Sequence, residues 1–379
     1  MHIGIDGNEA NVETLVGVSV YTHKLLTAFS KKATADLRFT VYLKHRPLPH
    51  MPPATEHFCY RVVPGPVLWS RIFFPLALRA ERDLDVLFAP AHYSPAGIQQ
   101  KLVVTIHDLS YFYYPAEFLK KDLYKLTRWT EASIRAAQRI ITVSKTTKKD
   151  VMHYYGVPSE AVTVVYNGFE KELDDRPDTR VLREFALTRR KYFLCVGTVQ
   201  PRKNIVRLIE AFRRYRTTRP DMHLVITGKK GWLFEDIVAT VTPEDGNSIV
   251  FTGFLPDEQV VALYRNALAF VLPSLYEGFG IPMLEAMAQG CPVIASQTAS
   301  LPEIGADACL YFNPEDPADI ADKLERISDD AGLRKELVTS GRRRVKNFSW
   351  ARCAEETLAV LTAVAGASGT AAAGVKNPA

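Results

Sequence analysis

Leu268-Ala269-Phe270-Val271-Leu272, followed after a short turn by Glu277-Gly278-Phe279-Gly280-Ile281-Pro282-Met283-Leu284-Glu285, is the most informative stretch of this chain. Five consecutive apolar residues read as a strand buried on both faces, as in parallel sheets. Pro282 suits the first turn of a helix and Gly290 its end, so strand, glycine loop and helix follow one another. The peptide N–H groups around residues 278–281 then lie near a helix N-terminus, where anions bind well. Glu277 and Glu285 stand eight positions apart, one before the glycine loop and one inside the helix. A carboxylate is an acceptor-only group that takes two hydroxyl donors at once. The loop therefore suits a ligand both phosphorylated and rich in hydroxyls, as a nucleotide sugar is.

Outward from this stretch, short β-rich runs alternate with helical patterns, which predicts a parallel sheet covered by helices. In the first half, strands are expected at residues 2–6, 38–43, 59–63, 85–88, 102–106, 139–143 and 162–165. Helices are expected near 18–32, 71–82, 118–137 and 145–155, the last with Ser144 as N-cap. A charged stretch over 170–190, with Asp174, Asp175, Pro177 and Asp178 near its middle, reads as an inter-domain linker with a short helix in it. The pattern then restarts, with strands at 192–196, 222–227, 249–252, 268–272 and 292–295. A last helix begins at Trp350 behind Ser349, and residues 366–379 read as a disordered tail. The fold class is thus α/β, with two doubly wound Rossmann-like domains facing across a central cleft. Their boundaries are 1–175 and 191–347, joined by a linker at 176–190. Ligands of such sheets sit at the carboxyl ends of strands.

Composition excludes several function classes. The chain has 379 residues, 47% of them hydrophobic, and a formal charge of +5, which is modest and speaks against a nucleic-acid partner. No run approaches the roughly 20 apolar residues that span a bilayer. The start, MHIGIDGNEA, enters a strand directly, with no signal-peptide pattern. Five scattered cysteines without a CxxC pair read as reduced core residues, which points to a cytoplasmic protein and away from structural zinc.

The strand-end loops supply the remaining candidates. Gly17 opens the first long helix and permits close backbone approach by a phosphate or sugar, though one glycine at a helix start is often only a turn. His107-Asp108 follows a strand; the imidazole can bond a sugar hydroxyl or handle a proton, with Asp108 orienting it, and the alternative is a structural histidine bonded to backbone. His92 follows another strand. Val196-Gly197-Thr198-Val199-Gln200-Pro201-Arg202-Lys203-Asn204 turns from strand to helix, where Arg202 and Lys203 suit a diphosphate. Gly228-Lys229 and Gly253-Phe254-Leu255 are further loops placed to wall a base.

Taken together, Glu277 and Glu285 at this spacing, Lys203 in its Pro-Arg-Lys-Asn context and His107 after a strand resemble the retaining glycosyltransferases of the GT-B fold. More narrowly, the chain resembles glycosyltransferase family 4, with the 196–204 stretch and Gly4-Ile5-Asp6-Gly7-Asn8 similar to its bacterial mannosyltransferase-like branch. The resemblance covers nearly the whole chain to about residue 365. It implies that Glu285 holds the ribose hydroxyls, that Glu277 contacts the donor sugar, and that backbone around Gly278, Phe279 and Gly280 supports sugar and diphosphate. By the same resemblance Lys203 and Arg202 neutralise the leaving diphosphate, Gly17 sits close to that diphosphate, and His107 contacts the transferred sugar; Gly228, from its strand-end position, is a further nucleotide-sugar-binding candidate. Many members carry an arginine directly after the glycine of the first strand in the second domain; here that position is Thr198, and Arg202 takes over the charge. The resemblance also implies that the helix over 350–365 packs back on the first domain, which serves the acceptor.

The activity so implied is metal-independent hexosyl transfer in surface polysaccharide assembly, with no cofactor. Its donor is expected to be GDP-mannose, with UDP-sugars the competing class. Its acceptor is expected to be a saccharide or a polyprenyl-diphosphate-linked saccharide. Lys120, Lys121, Lys125 and Arg128 interleave with Phe118, Leu119, Leu123, Tyr124 and Trp129, and residues 66–75 add an aromatic patch. Such a face suits docking on an anionic membrane at the inner side of the plasma membrane, the alternative being ordinary packing on the sheet. A nucleotide-sugar epimerase of the same architecture is the rival function. A nicotinamide dehydrogenase lacks its GxGxxG after the first strand.

Overall fold

Apolar runs of four to six residues become the central strands of two sheets. In the computed structural model, which describes residues 1–65, 68–170 and 177–367, the chain divides into two compact units. One comprises Met1–Gly168 with the segment from Phe348 onward, the other Phe169–Asn347. The first unit holds β1 (His2–Asp6), β2 (Arg38–Leu43), β3 (Phe58–Val62), β4 (Val86–Ala89), β5 (Leu102–Ile106), β6 (Arg139–Thr142) and β7 (Val162–Val164). They form one parallel sheet in the order β3-β2-β1-β4-β5-β6-β7. The order reverses between β1 and β4, with Ile3 set beside both Phe39 and Val86. At such a reversal the two flanking connections leave on opposite faces and open a crevice at the carboxyl ends of the strands.

Burial follows position in the sheet. β4 and β5 are buried along their whole length, whereas the edge strand β3 exposes much of its side-chain row. The helix Trp350–Gly366 belongs to this unit: Ser349 caps it by accepting from the Arg352 amide, and Trp350, Cys353, Ala354, Leu361 and Val364 share a core with Ile3, Ile5, Leu25 and Phe29. A side chain at Gly168 would come within 2.3 Å of the Trp350 nitrogen, so the chain needs glycine there.

The second unit repeats the plan with β8 (Tyr192–Val196), β9 (His223–Thr227), β10 (Ile249–Gly253), β11 (Ala269–Leu272), β12 (Val293–Ser296) and β13 (Cys309–Phe312), in the order β10-β9-β8-β11-β12-β13. Its reversal lies between β8 and β11. β13 and the two helices behind it, Pro317–Asp329 and Ala331–Val345, extend the unit beyond the five strands expected. The first of these helices buries Ile320, Ala321, Leu324 and Ile327, one stripe at helical spacing, in the core under β8 and β9.

The stretch expected as a linker is, from residue 177, part of the second unit. The Asp178 amide donates to the Glu258 carbonyl at 3.1 Å and the Arg190 amide to the Asn266 carbonyl at 2.8 Å. The short helix Arg180–Glu184 between them buries Val181. The charges that suggested a linker are its solvent side, including the Asp178–Arg180 pair. Asp174, Asp175 and residue 176 lie outside the described residues, as do Pro66 and Val67 of the aromatic patch and residues 368–379 of the expected tail.

Candidate active site

Two strand-end turns of the second unit meet because β8 and β11 are neighbours. Beyond β8 the chain turns at Gly197 (φ 148°), where Lys203 Cε would lie 3.5 Å from any added Cβ, and passes a tight turn at Pro201–Lys203. Asn204 then adopts the left-handed conformation (φ 56°) that aims the chain into the helix Ile205–Arg216. Its side-chain amide donates to the carbonyls of Pro273 (3.1 Å) and Pro314 (2.7 Å), and the Leu275 amide donates to the Arg202 carbonyl at 2.9 Å. These bonds fasten the β8 turn to the β11 turn.

The joint buries an ion cluster. Lys203 Nζ donates to Glu277 Oε1 at 2.5 Å, and Ser274 Oγ donates to the same oxygen at 2.6 Å. Arg202 Nη1 lies 3.4 Å from Glu277 Oε2 and also donates to the Tyr276 carbonyl. The side chains of Arg202, Lys203 and Glu277 are only 12%, 13% and 11% exposed. Burial alone would push the Glu277 carboxyl up; Lys203 and Arg202 outweigh it and hold the group below the usual carboxylate range. Glu277 is therefore ionised, and two cations against one anion leave the cluster one net positive charge. Sequence reasoning set Glu277 on a sugar and the two cations on a diphosphate; the fold brings all three into one network.

The glycine loop behind Glu277 is closely held. All residues from 271 through 280 are buried, and Ser300 Oγ donates to the Glu277 carbonyl at 2.8 Å. Gly280 (φ 101°) starts the helix Ile281–Ala288, with Pro282 in its first turn. A Cβ on Gly280 would meet Leu301 Cδ2 at 2.7 Å. Glu285 lies on this helix, partly exposed, and its Oε2 accepts from the Tyr264 hydroxyl at 3.1 Å. Burial pushes the Glu285 carboxyl up to about 7, against the Tyr264 bond and with help from the Asp257 charge. Gly228 (φ 150°) has a packing reason of its own: a side chain there would come within 2.0 Å of the Gly197 carbonyl oxygen.

In the first unit, Gly17 (φ 52°) begins the helix Val18–Ser30, and nothing lies within 4 Å of where its Cβ would stand. His107, at the end of β5, is 8% exposed; its Nε2 is 2.8 Å from the Pro90 carbonyl oxygen, and its ring meets the Tyr21 ring edge-on at 4.8 Å. Burial, with His92 nearby, lowers its pKa to about 4, so the ring is neutral at pH 7. A neutral ring that donates from Nε2 to the carbonyl keeps Nδ1 as an acceptor. The Pro90 carbonyl orients the imidazole, while Asp108 Oδ1 accepts from the amide and hydroxyl of Ser110. His92 Nε2 accepts from the His107 amide at 3.3 Å.

The candidates thus fall into two sets. Gly17, His92 and His107 gather at the strand ends of the first unit. Arg202, Lys203, Glu277, Gly278, Phe279, Gly280 and Gly228 lie in strand-end turns of the second, with Glu285 inside the helix that follows one of them. Ser274, Ser300 and Tyr264 escaped sequence reasoning because each acts through a partner that only the sheet order brings near. Among the described residues, no three His, Cys, Asp or Glu side chains gather as a metal site requires.

Comparison with known proteins fixes the family. Residues 16–173 match the model described as Glycosyltransferase Family 4, and residues 181–344 match that described as Glycosyl transferases group 1. The chain is 32% identical over 289 residues to the O-antigen chain mannosyltransferase B of Escherichia coli, covering 74% of this chain and 75% of that one. The chain belongs to the family 4 glycosyltransferases. A second relative, the O-antigen chain mannosyltransferase RfbU of Salmonella typhimurium, is 29% identical over 257 residues, covering 66% of this chain and 68% of its own. Among solved structures, sucrose-phosphate synthase from Thermosynechococcus elongatus aligns with a TM-score of 0.76 at 20% identity, over 97% of this chain and 100% of that one. This likeness identifies the GT-B fold of the glycosyltransferase. The matched families and relatives are transferases, which leaves the epimerase alternative without support.

Proposed function

We propose that this glycosyltransferase transfers mannose from GDP-mannose, with retention of anomeric configuration, to a saccharide or polyprenyl-diphosphate-linked saccharide of a surface polysaccharide. The observation that carries the site is the buried Arg202–Lys203–Glu277 cluster, whose net positive charge stands beside the N-terminus of the helix Ile281–Ala288. Breaking the bond between the anomeric carbon and phosphate puts negative charge on the departing diphosphate. Fixed cations and N–H dipoles in a dry site stabilise that charge more in the transition state than in the ground state. Lys203, Arg202 and the helix N-terminus supply this charge without a metal ion or cofactor. Glu285 takes the ribose hydroxyls and Glu277 contacts the sugar while holding both cations in place. Backbone at Gly278, Phe279 and Gly280 supports sugar and diphosphate, and Gly228 lines the donor; in the first unit, Gly17 offers open backbone to a phosphate and His107 an acceptor, Nδ1, to a sugar hydroxyl.

Retention is assigned to front-face attack, with the acceptor hydroxyl passing its proton to the leaving phosphate. A double displacement needs a carboxylate free to act as nucleophile. Glu277, tied by Lys203, Ser274 and Arg202, is poorly suited to that role. The names of the two mannosyltransferase relatives support the sugar and the O-antigen setting, and UDP-sugars are the competing donor class. Thermal-shift titration with GDP-mannose and UDP-hexoses tests the donor: stabilisation by GDP-mannose is expected, and a response to UDP-sugars alone overturns it.

The first unit also supports contact with an anionic membrane at the inner face of the plasma membrane. The helix Lys120–Ala136 exposes Tyr124, with exposed Leu119 just before it, among Lys120, Lys121, Lys125 and Arg128. Arg71 stacks on Trp129 at 4.5 Å, and Ile72 beside it in sequence is exposed. No described helix is long and apolar enough to cross a membrane. Flotation with anionic vesicles at moderate salt is expected to carry the protein up; absence of binding removes the membrane role.

A further inference from the structure

We propose that Tyr264 is a positioning residue for the donor nucleotide, its hydroxyl fixing the rotamer of Glu285 and keeping that carboxylate in its acceptor form. This inference rests on the assignment of Glu285 to the ribose hydroxyls and adds the group that prepares it.

Tyr264 lies on the helix Asp257–Asn266 and is 1% exposed, its ring edge-on to Phe270 at 5.4 Å. Its oxygen is 3.1 Å from Glu285 Oε2 and 3.3 Å from the Pro282 carbonyl oxygen. A phenol has one hydrogen, so it serves one of these acceptors at a time. The Pro282 carbonyl already has a helical partner one turn on, and a charged acceptor binds the hydrogen more strongly than a carbonyl does. The hydroxyl therefore goes to Glu285 whenever that group is ionised. One lone pair of Oε2 is then used, and the other acceptor positions of the carboxylate remain for ligand hydroxyls.

Phenylalanine would fill the same core volume, so the oxygen of Tyr264 is not there for packing. Its presence matters because the charged form of Glu285 has little other help. Asp257, on the same helix as Tyr264, opposes ionisation. The strands packed under the Ile281–Ala288 helix, β11 and β12, carry no titratable group. From the helix Ala331–Val345, Gly341 meets Met287, and Arg342 stands at Gly290, beyond the end of the Glu285 helix. Arg265, next to Tyr264, donates to Gln289 at 2.7 Å. Cys291 and Cys195 act on Tyr264 only through charge, and burial pushes both thiols up to about 12, so they stay neutral. Tyr264 itself remains a phenol, its ionisation pushed far up by burial and by the Glu285 charge.

Binding of GDP, measured by calorimetry from pH 6 to pH 9 on the full chain, tests this. Wild-type affinity should rise with pH through a midpoint near the Glu285 value and then level off. Tyr264→Phe should fold and lose about tenfold in affinity at pH 7, the scale of one hydrogen bond to a charged group, with its midpoint raised by about one unit. The loss should appear in the donor KM with kcat nearly unchanged, and Tyr264→Phe should add nothing in a Glu285→Ala background. Site-specific 3-fluorotyrosine at position 264, a stronger donor of nearly the same shape, should move the midpoint down and covers the case in which the phenylalanine variant folds poorly. Unchanged affinity and midpoint in both variants, with GDP binding lost in Glu285→Ala, overturn the role of Tyr264 alone. Wild-type GDP binding by Glu285→Ala overturns the ribose assignment and this inference with it.

Discussion

Replacing Glu285 with glutamine should stabilise the free protein above neutral pH while weakening nucleotide binding. Burial raises this carboxyl from an ordinary 4.5 to about 7. The folded chain thus holds a proton that the unfolded chain has released between those two values. Stability contributed by the protonated form is fully present below about 4.5 and is lost as pH rises through about 7. The full loss is on the order of 3 kcal/mol, of which less than about 1 kcal/mol has gone by pH 5. Glutamine keeps the volume and an oxygen for Tyr264 but never ionises. The melting temperature of Glu285→Gln should therefore rise relative to wild type between pH 5 and pH 8, by roughly 5–10 °C for a unit of this size. Differential scanning fluorimetry at both pH values, with and without GDP, reads the change and the expected loss of the GDP-induced shift. A gap that is the same at pH 5 and pH 8 refutes the reasoning, because it removes the ionisation from the energetics of the site.

Other consequences concern the ion cluster and the glycines. Glu277→Gln leaves Lys203 and Arg202 buried without their anion, which should cost about 3 kcal/mol at neutral pH; GDP should then raise the melting temperature more in the variant than in wild type. Gly228→Ala sets a methyl group 2.0 Å from the Gly197 carbonyl oxygen at φ 150° and should abolish soluble folded protein. Gly17→Ala meets no atom within 4 Å and should fold, losing up to about 3 kcal/mol because φ 52° with ψ −112° lies outside the regions open to alanine, as read by circular dichroism and thermal melting.

Much of the fold was legible because the central strands of a parallel sheet are buried on both faces and so appear as unbroken apolar runs. Residues 102–106 and 192–196 could be bounded to the residue on that signal. β13 was not legible: Cys309–Phe312 is four residues long, follows Ala306-Asp307-Ala308, and pairs only with β12 at the edge. The short helix expected in the charged stretch is Arg180–Glu184, exposed on one side and anchored on the other, so charge density there reports solvent exposure and not a lack of structure. In the site, individual side chains were readable from strand-end position, but their pairing was not. Lys203 and Glu277 are 74 residues apart and meet only because β8 and β11 are adjacent. The same holds for Tyr264 and Glu285, whose bond depends on how two helices pack. Thr198 leaves the position after Gly197 without a charge, and Arg202 reaches Glu277 from the next turn.

Release of GDP from GDP-mannose by wild type and by Lys203→Ala, in chelator and at saturating donor, bears most directly on the active-site assignment. If Lys203 stabilises the departing diphosphate, the folded variant should be at least about a hundredfold slower, the scale of losing one preorganised electrostatic contact. Rates equal within about threefold, in a variant with wild-type melting behaviour, would show that the chemistry does not run through the Arg202–Lys203–Glu277 cluster.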